Sequence, residues 1–505
     1  MRVWAIVLIS GLSALLSGCA RAQGQGGEVR VEFSVEHQTS FGTSVFVLGD
    51  HPALGGGDVN SGNGMERALK LSPHDYPTWK AAVMLPPGRK VNYRFAARLD
   101  SNTQIGNPAN GSFIGEAQVL SVPGEATRAV TGRVWYRGQA EAPAVEVLND
   151  AGTSVVATIL MRPDDEPGLW HCQVPGLPAA GDWRFRLNRG GDGGYAAPKF
   201  GGGDYVTSAR ALWVQDGEIF TYRPAASISP SQVLKISNFQ GSLPARDIYI
   251  YLPRGYAEHT GRRYPVLYMH DGQNIFRRLN QSFAGEWNAD DTADVLIAQG
   301  RMRETIIVGV SNGGLERLAE YLPPYSTFSG TTGRADKTAA YYMNEVKARI
   351  DADFRTLTGR ADTATCGSSM GGVFSIYLAW EFPQFAANHA ALSTAFWTTG
   401  DGDGLPQMID RMRLAQPDHT RLWLDSGTQS TPGSGTDDMH NTFAARDALL
   451  AAGWALGPDF QHFLDIGAIH NEASWAARLD KVFLFLMPIS PQASELTPAD
   501  AWVVQ

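Results

Sequence analysis

The 505-residue chain is poor in cysteine, in net positive charge and in long apolar runs. Three cysteines cannot staple a chain of this length, so the fold rests on its hydrophobic core and not on a disulfide framework. Arginine and lysine number 42 against 51 acidic residues, giving a formal charge of −9 and a pI near 5.7. No basic stripe is available to neutralise phosphates, which argues against a nucleic-acid partner. Only the run Val3–Leu16 is long and apolar, and it is too short to span a bilayer comfortably. What is present describes a globular protein: 43% hydrophobic residues, 18% charged residues, and a generous supply of glycine, tryptophan, tyrosine and phenylalanine. The length suggests two to four domains.

Arg2, the apolar run and Ser17-Gly18-Cys19 read as an export signal over residues 1–22. Leu16-Ser-Gly-Cys19 resembles a bacterial lipobox, which predicts removal of residues 1–18 and a lipid anchor at Cys19. Cleavage after Ala20-Arg21-Ala22 is the alternative and would release a soluble protein. Either route predicts an exported bacterial protein, periplasmic or anchored to the outer membrane. Cys172 and Cys366 fall in different predicted domains and are expected to be free.

After a polar tether at Gln23–Gly27, the pattern to about Pro123 is all-β. Val29–Val35, Ser44–Leu48 and Val91–Phe95 alternate apolar and polar residues between Gly- and Pro-rich turns. Val31-Glu-Phe-Ser-Val35, Val47-Leu-Gly49, Leu54-Gly55, Tyr76-Pro-Thr-Trp79, Leu85-Pro86 and Val91-Asn-Tyr-Arg-Phe95 resemble the glucoamylase-type starch-binding module. Where that family carries a sugar-stacking tryptophan, this chain reads Leu54-Gly-Gly-Gly57, and the second platform tryptophan is absent from Asp100–Glu116. The expectation is a sandwich, residues 28–124, with at most weak glycan contact. A second alternating region, residues 125–225, contains Arg133–Tyr136, Val145–Leu148, Ser154–Leu160, Trp183–Leu187 and Ala211–Val214, and suggests an Ig-like sandwich.

From residue 232 to 488 the texture changes. Short apolar runs at Asp247–Leu252, Pro265–Met269, Thr305–Val310, Thr363–Cys366, His389–Leu392, Arg421–Asp425 and Phe460–Asp465 read as strands covered on both faces. Helical stretches separate them; Tyr342, Val346, Ile350 and Phe354 recur every four residues along one face. Strand–helix alternation predicts a doubly wound, mostly parallel sheet of the α/β-hydrolase kind. The fold class is therefore multidomain: two β-sandwich domains followed by an α/β-hydrolase.

Two Gly-x-Ser-x-Gly matches follow strands in this last domain, Gly309-Val-Ser-Asn-Gly313 and Gly367-Ser-Ser-Met-Gly371. In such sheets the functional site lies at the carboxyl ends of the strands. Ser311 leads only into a short segment stopped at Pro323-Pro324. Ser369 enters an apolar helix from Val373 to Trp380, the geometry of a nucleophile elbow. A serine hydroxyl needs a histidine to take its proton and a carboxylate to orient that histidine. His470, in the loop after the last strand, stands in the right chain order. The carboxylate is expected after Arg421–Asp425, at Asp437 or Asp438, which the sequence does not separate, with Asp425 as an outsider. The N–H of Met370 and one from the turn at Gly272 or Gln273 would form an oxyanion hole. Arg277–Asp290, Tyr325–Arg334 and Ala395–Leu405 are the expected pocket walls.

Tyr251-Leu-Pro-Arg-Gly-Tyr256, Tyr264-Pro-Val-Leu-Tyr-Met-His-Asp-Gly-Gln-Asn274, Glu316–Pro323, Gly367-Ser-Ser-Met-Gly-Gly372 and Gly467-Ala-Ile-His-Asn-Glu-Ala-Ser-Trp475 together resemble the esterase family. That family takes in esterase D, enterochelin-esterase-like and feruloyl-esterase-like α/β hydrolases. The resemblance implies carboxylic-ester hydrolysis through an acyl-serine, with no metal and no organic cofactor. Relatives often place an acid three positions after the glycine ending the penultimate strand; here Gly427-Thr-Gln-Ser430 has serine. The acid has then moved to Asp437 or Asp438, or the site is a Ser–His dyad. The expected substrates are esters linked to carbohydrate or to aromatic acids. The alternatives are a siderophore (enterochelin-type) lactone esterase and a non-catalytic surface glycan-binding lipoprotein.

Overall fold

The computed structural model of the protein describes residues 3–6, 29–39, 43–56, 59, 68–75, 77–85, 90–99, 111–121, 129–179, 181–277, 286–400, 406–414, 417, 420–457 and 459–489. The expected anchor at Cys19, the tether, Gly57, most of the Asp100–Glu116 stretch and parts of two expected pocket walls lie outside the described residues. The chain divides into two compact units: Met1–Ala126, Leu322–Thr332 and Ala391–His470 form one, and Thr127–Tyr321, Gly333–Ala390 and Asn471–Gln505 the other.

In the first unit the N-terminal strands form two four-stranded sheets. Val29–Glu36 pairs antiparallel with Thr78–Leu85, while Thr43–Gly49 and Gly111–Ser121 flank Lys90–Leu99. Period-2 alternation explains the core: Val31, Phe33 and Val35 point inward, as do Val91, Tyr93 and Phe95. Phe33 meets Tyr93 edge-on at 5.0 Å between ring centres. Val3–Ile6, inside the expected signal segment, pairs with the outer edge of Val29–Glu36.

In the second unit, residues 129–220 contribute two five-stranded antiparallel-rich sheets. Val134, Val145, Val174, Phe185, Leu187, Leu212 and Val214 share one core. The strand Leu169–Pro178, which sequence patterning missed, pairs with Ala129–Arg137. Its glycine and prolines mask the alternation. Cys172 and Cys366 are buried and not joined in a disulfide, and burial pushes the Cys172 thiol up to about 12.

The C-terminal domain is built on an eight-stranded sheet with the order Gln232–Phe239, Arg246–Leu252, Ile306–Val310, Val266–His270, Thr363–Ser368, Asn388–Leu392, Arg421–Gly427, Phe460–Asp465. The sheet is mixed. Arg246–Leu252 runs antiparallel to both Gln232–Phe239 and Ile306–Val310, whereas Val266–His270 is parallel to both Ile306–Val310 and Thr363–Ser368. Arg421–Gly427 and Phe460–Asp465 are parallel as well. The edge strand Gln232–Phe239 carried no clear apolar signal because most of its residues are solvent-facing. The parallel strands are buried on both faces, which is why they read as short apolar runs. The helical face predicted from Tyr342 forms as Ala335–Tyr341, a π-turn at Tyr342–Val346 and Lys347–Asp353, with Tyr342, Val346 and Ile350 buried. No helix among the described residues is long and apolar enough to cross a membrane.

Candidate active site

Ser369 sits where the strand Thr363–Ser368 turns into the helix Met370–Glu381. Its backbone is held at φ 55° and ψ −120°, a conformation that costs a non-glycine residue on the order of 1–3 kcal/mol. From Thr363 to Ala379 every residue is buried except Ser369, which is half-exposed. Gly367 is required here: a Cβ would stand 2.6 Å from the Gly371 backbone and from the His270 ring. The N–H of Met370 opens the helix and carries the positive end of its dipole.

Gly272 and Gln273 lie in the 3₁₀ turn Gly272–Asn274 after the strand Val266–His270. A Cβ on Gly272 would meet the Gly309 backbone at 2.3 Å, so only glycine lets these two strand ends approach. The preceding residue, Asp271, was not singled out from sequence and anchors the turn. Arg317 grips both of its oxygens at 2.6 and 2.9 Å, Asn312 Nδ2 donates to Oδ1 at 2.6 Å, and the backbone N–H of Asp271 donates to the Tyr321 hydroxyl. Burial pushes the Asp271 carboxyl up, but Arg317 and Asn312 outweigh it and hold the group below the usual carboxylate value. His270 is packed between the Tyr342 hydroxyl and Ser375 Oγ, and burial lowers it to about 3, so it is a neutral structural histidine.

Ser311, in the other Gly-x-Ser-x-Gly match, lacks the elbow. Its N–H donates to the Asp247 carbonyl, and its own carbonyl accepts from Arg246. The motif's asparagine, Asn312, is the one that serves Asp271.

In the other unit, His470 Nδ1 meets Asp437 Oδ1 at 2.5 Å. Asp437 is fully buried and its second oxygen accepts from Ser393 Oγ at 2.6 Å and from the N–H of Gly427 at 2.5 Å. Gly427 permits this approach, since a Cβ there would lie 2.9 Å from Asp437 Oδ2 and closer still to Ala468. Ser430, which stands where relatives often have the acid, accepts the N–H of Asp437 at 3.2 Å. The serine thus fastens a loop that brings the carboxylate back from further along the chain. The histidine loop is tied to the same strand end: the N–H groups of Thr428 and Gln429 donate to the Ala468 carbonyl, and Thr428 Oγ1 accepts from Gly467.

Asp438 points elsewhere. It precedes the helix Met439–Ala451 and accepts from Asn441 Nδ2 at 2.8 Å. Burial raises it to about 7, against the lowering effect of the Asn441 bond. Asp425 bonds to the Ser393 N–H and the Trp423 indole. So of the three acids raised by the sequence, Asp437 is the one on His470. Trp397, 44% exposed, places its ring edge-to-face against His470 with centroids 6.1 Å apart. Neither Ser393 nor Trp397 had a spacing signal, since both reach the site through a turn and not through a motif. Among the described residues no cluster of His, Cys, Asp or Glu is arranged to hold a metal.

Residues 244–486 match the family described as “Putative esterase”, and residues 28–112 match the starch-binding domain family. Among curated proteins, a cyclomaltodextrin glucanotransferase of Klebsiella oxytoca is 36% identical over 64 residues, 13% of this chain and 9% of that protein's length. Among solved structures, a ferulic acid esterase is 18% identical, covers 51% of this chain and 98% of its own, and has a TM-score of 0.39. The enterobactin esterase of Shigella flexneri is 12% identical, with 71% and 93% covered and a TM-score of 0.38. An IroE-like serine hydrolase of Shewanella oneidensis is 21% identical, with 50% and 78% covered and a TM-score of 0.37. The chain carries an esterase-family domain over residues 244–486, preceded by a module of the starch-binding type over residues 28–112.

Proposed function

We propose that the C-terminal domain is a serine esterase in which Ser369 is the nucleophile, His470 the general base and Asp437 the carboxylate that orients it. The Asp437–His470 bond carries the reading: a buried carboxylate on Nδ1 fixes the tautomer with Nε2 as the proton acceptor. The elbow backbone at Ser369 supports the nucleophile's identity. His470 Nε2 takes the Ser369 proton as Oγ attacks the ester carbonyl. The N–H of Met370 and one from Gly272 or Gln273 receive the developing oxyanion, each worth roughly 3–4 kcal/mol. The protonated imidazole then gives its proton to the alcohol oxygen as the C–O bond breaks. Water, deprotonated by the same histidine, releases the acid.

The substrates in this reading are carbohydrate-linked or aromatic-acid esters. The chain is exported with an anchor at Cys19, and residues 28–124 and 125–225 act as two β-sandwich spacers, the first with at most weak glycan contact. A fluorophosphonate probe tests the mechanism: wild-type protein should label and Ser369→Ala should not. Equal labelling of the two would defeat it.

A further inference from the structure

The turn Gly272–Asn274 is opened by an aspartate whose side chain serves something other than the turn. Asp271 stands at φ 57° and ψ 45°, left-handed backbone that favours glycine, and it makes no side-chain capping bond. Its carboxylate turns away. Arg317 takes both oxygens, at 2.6 and 2.9 Å, and Asn312 Nδ2 adds a bond to Oδ1 at 2.6 Å. Asn312 also reaches the far side of Gly272, where its backbone N–H donates to Gln273 Oε1 at 3.3 Å. Gly272 is thus flanked by two residues that hang from one asparagine, and it lies against the Gly309 backbone. The same carboxylate meets the nucleophile helix: a Cβ on Gly371, the residue after Met370, would stand 3.3 Å from Asp271 Oδ2. All of these residues belong to one compact unit.

We propose that Asp271 is a positioning residue for the oxyanion hole: gripped by Arg317 and Asn312, it aims the Gly272 turn on one side and abuts the elbow helix at Gly371 on the other, so that both donor peptides are set from one carboxylate. The backbone angles of Asp271 orient the peptide that carries the Gly272 N–H. Relaxation of this residue to ordinary negative φ would swing that donor away. Oxyanion donors act only at about 2.7–3.1 Å from the developing charge, and loss of one costs about 10²- to 10³-fold in kcat. The second Gly-x-Ser-x-Gly match has its use here, because its strand end supplies Asn312. The arrangement rests on the oxyanion donors and the Ser369 nucleophile proposed above.

The test compares steady-state hydrolysis of a para-nitrophenyl ester with that of its thionoester, in which C=S replaces C=O. Sulfur accepts hydrogen bonds poorly, so a working oxyanion hole favours the oxo ester and a damaged one loses that preference. Asp271→Asn turns an NH2 group toward Arg317 or Asn312. It should lower kcat on the oxo ester about 10- to 100-fold, with KM and thionoester turnover each within about threefold of wild type. The oxo-to-thiono ratio should therefore fall by about tenfold. Asn312→Ala leaves the Arg317 pair in place and should move the ratio the same way by about threefold. Arg317→Lys keeps a charge on one oxygen and should retain more kcat than Asp271→Asn. Thermal melts identify any variant that fails to fold, and Asn312→Ala, the mildest change, then decides alone. Equal losses on the two esters, a loss confined to KM, or full kcat in Asp271→Asn would overturn the proposal. A wild-type ratio near one, or an active Ser369→Ala protein, would instead bring down the serine mechanism on which it rests.

Discussion

The chain writes Gly-x-Ser-x-Gly twice after a buried strand, and the two copies are built differently. At Gly367–Gly371 the serine is the strained residue, and the glycines clear space for the tight strand-to-helix turn. At Gly309–Gly313 the serine's backbone is spent on Asp247 and Arg246. There Gly309 is needed because the Gly272 turn presses on it, and Asn312 reaches across to Asp271. One spacing therefore serves two purposes, and the element that follows decides which. A buried helix behind the serine holds an elbow in place; a short 3₁₀ turn does not. The sharpest way to break this comparison is to remove each hydroxyl. Ser369→Ala should reduce kcat by about 10⁴- to 10⁶-fold in an ester assay. Ser311→Ala should leave kcat within about twofold and stability within about 0.5 kcal/mol. Similar losses in both would show that the local backbone does not distinguish them.

The adjacent aspartates give a second comparison of the same kind. Asp437→Asn keeps the shape but lets the amide donate to Nδ1, favouring the wrong imidazole tautomer, so kcat should fall by about 10⁴-fold. Asp438→Asn should fall far less. Kinetics on the two purified variants check this, and a larger loss at Asp438 would exchange their roles.

These pairs also mark what the sequence could and could not reveal. Strands such as Val266–His270 and Thr363–Ser368 were legible because a strand covered on both faces must be an apolar run bounded by turns. Gln232–Phe239 was not, because an edge strand open to water has no such constraint. Ser369 and His470 stood out through chain order and the turn chemistry around them. Asp437 and Asp438 could not be separated by spacing. What separates them is the loop from Thr428 to Thr436, closed by Ser430 on the Asp437 N–H, and left-handed backbone at both residues. Asp271, Arg317 and Asn312 converge from different strand ends, a relation set by strand order and not by distance along the chain.

That buried cluster sets the next largest effect. Arg317→Leu would leave Asp271 buried against the Gly272 turn with one hydrogen-bond partner fewer and no counter-charge. Because Arg317 is only half-buried, the expected loss is roughly 2–4 kcal/mol, somewhat below the full figure for a buried pair. Denaturant unfolding measures it. The pH sign follows from the depressed Asp271 value. The pair's contribution is fully present above the ordinary carboxylate value of 3.8 and is lost as pH falls through the lower, folded-state value. In Arg317→Leu that acid limb of the stability profile should flatten.

Asp438 should behave in the opposite sense, and this contrast is the finest test of the pairings. Its carboxyl is raised from 3.8 to about 7 because burial penalises the charge more than the Asn441 hydrogen bond rewards it. Between those two values the unfolded chain releases a proton that the folded protein retains, so stability must decline as pH rises from about 4 to 7. The gap caps the effect at about 4 kcal/mol, and solvent reaching the half-buried side chain brings it to on the order of 2 kcal/mol. Asp438→Asn, which cannot ionise, should lose this decline and gain on the wild type towards neutral pH, in unfolding curves taken at half-unit steps. If both proteins keep the same slope, the burial penalty on Asp438 is offset by its bond from Asn441, and the carboxylate is charged throughout.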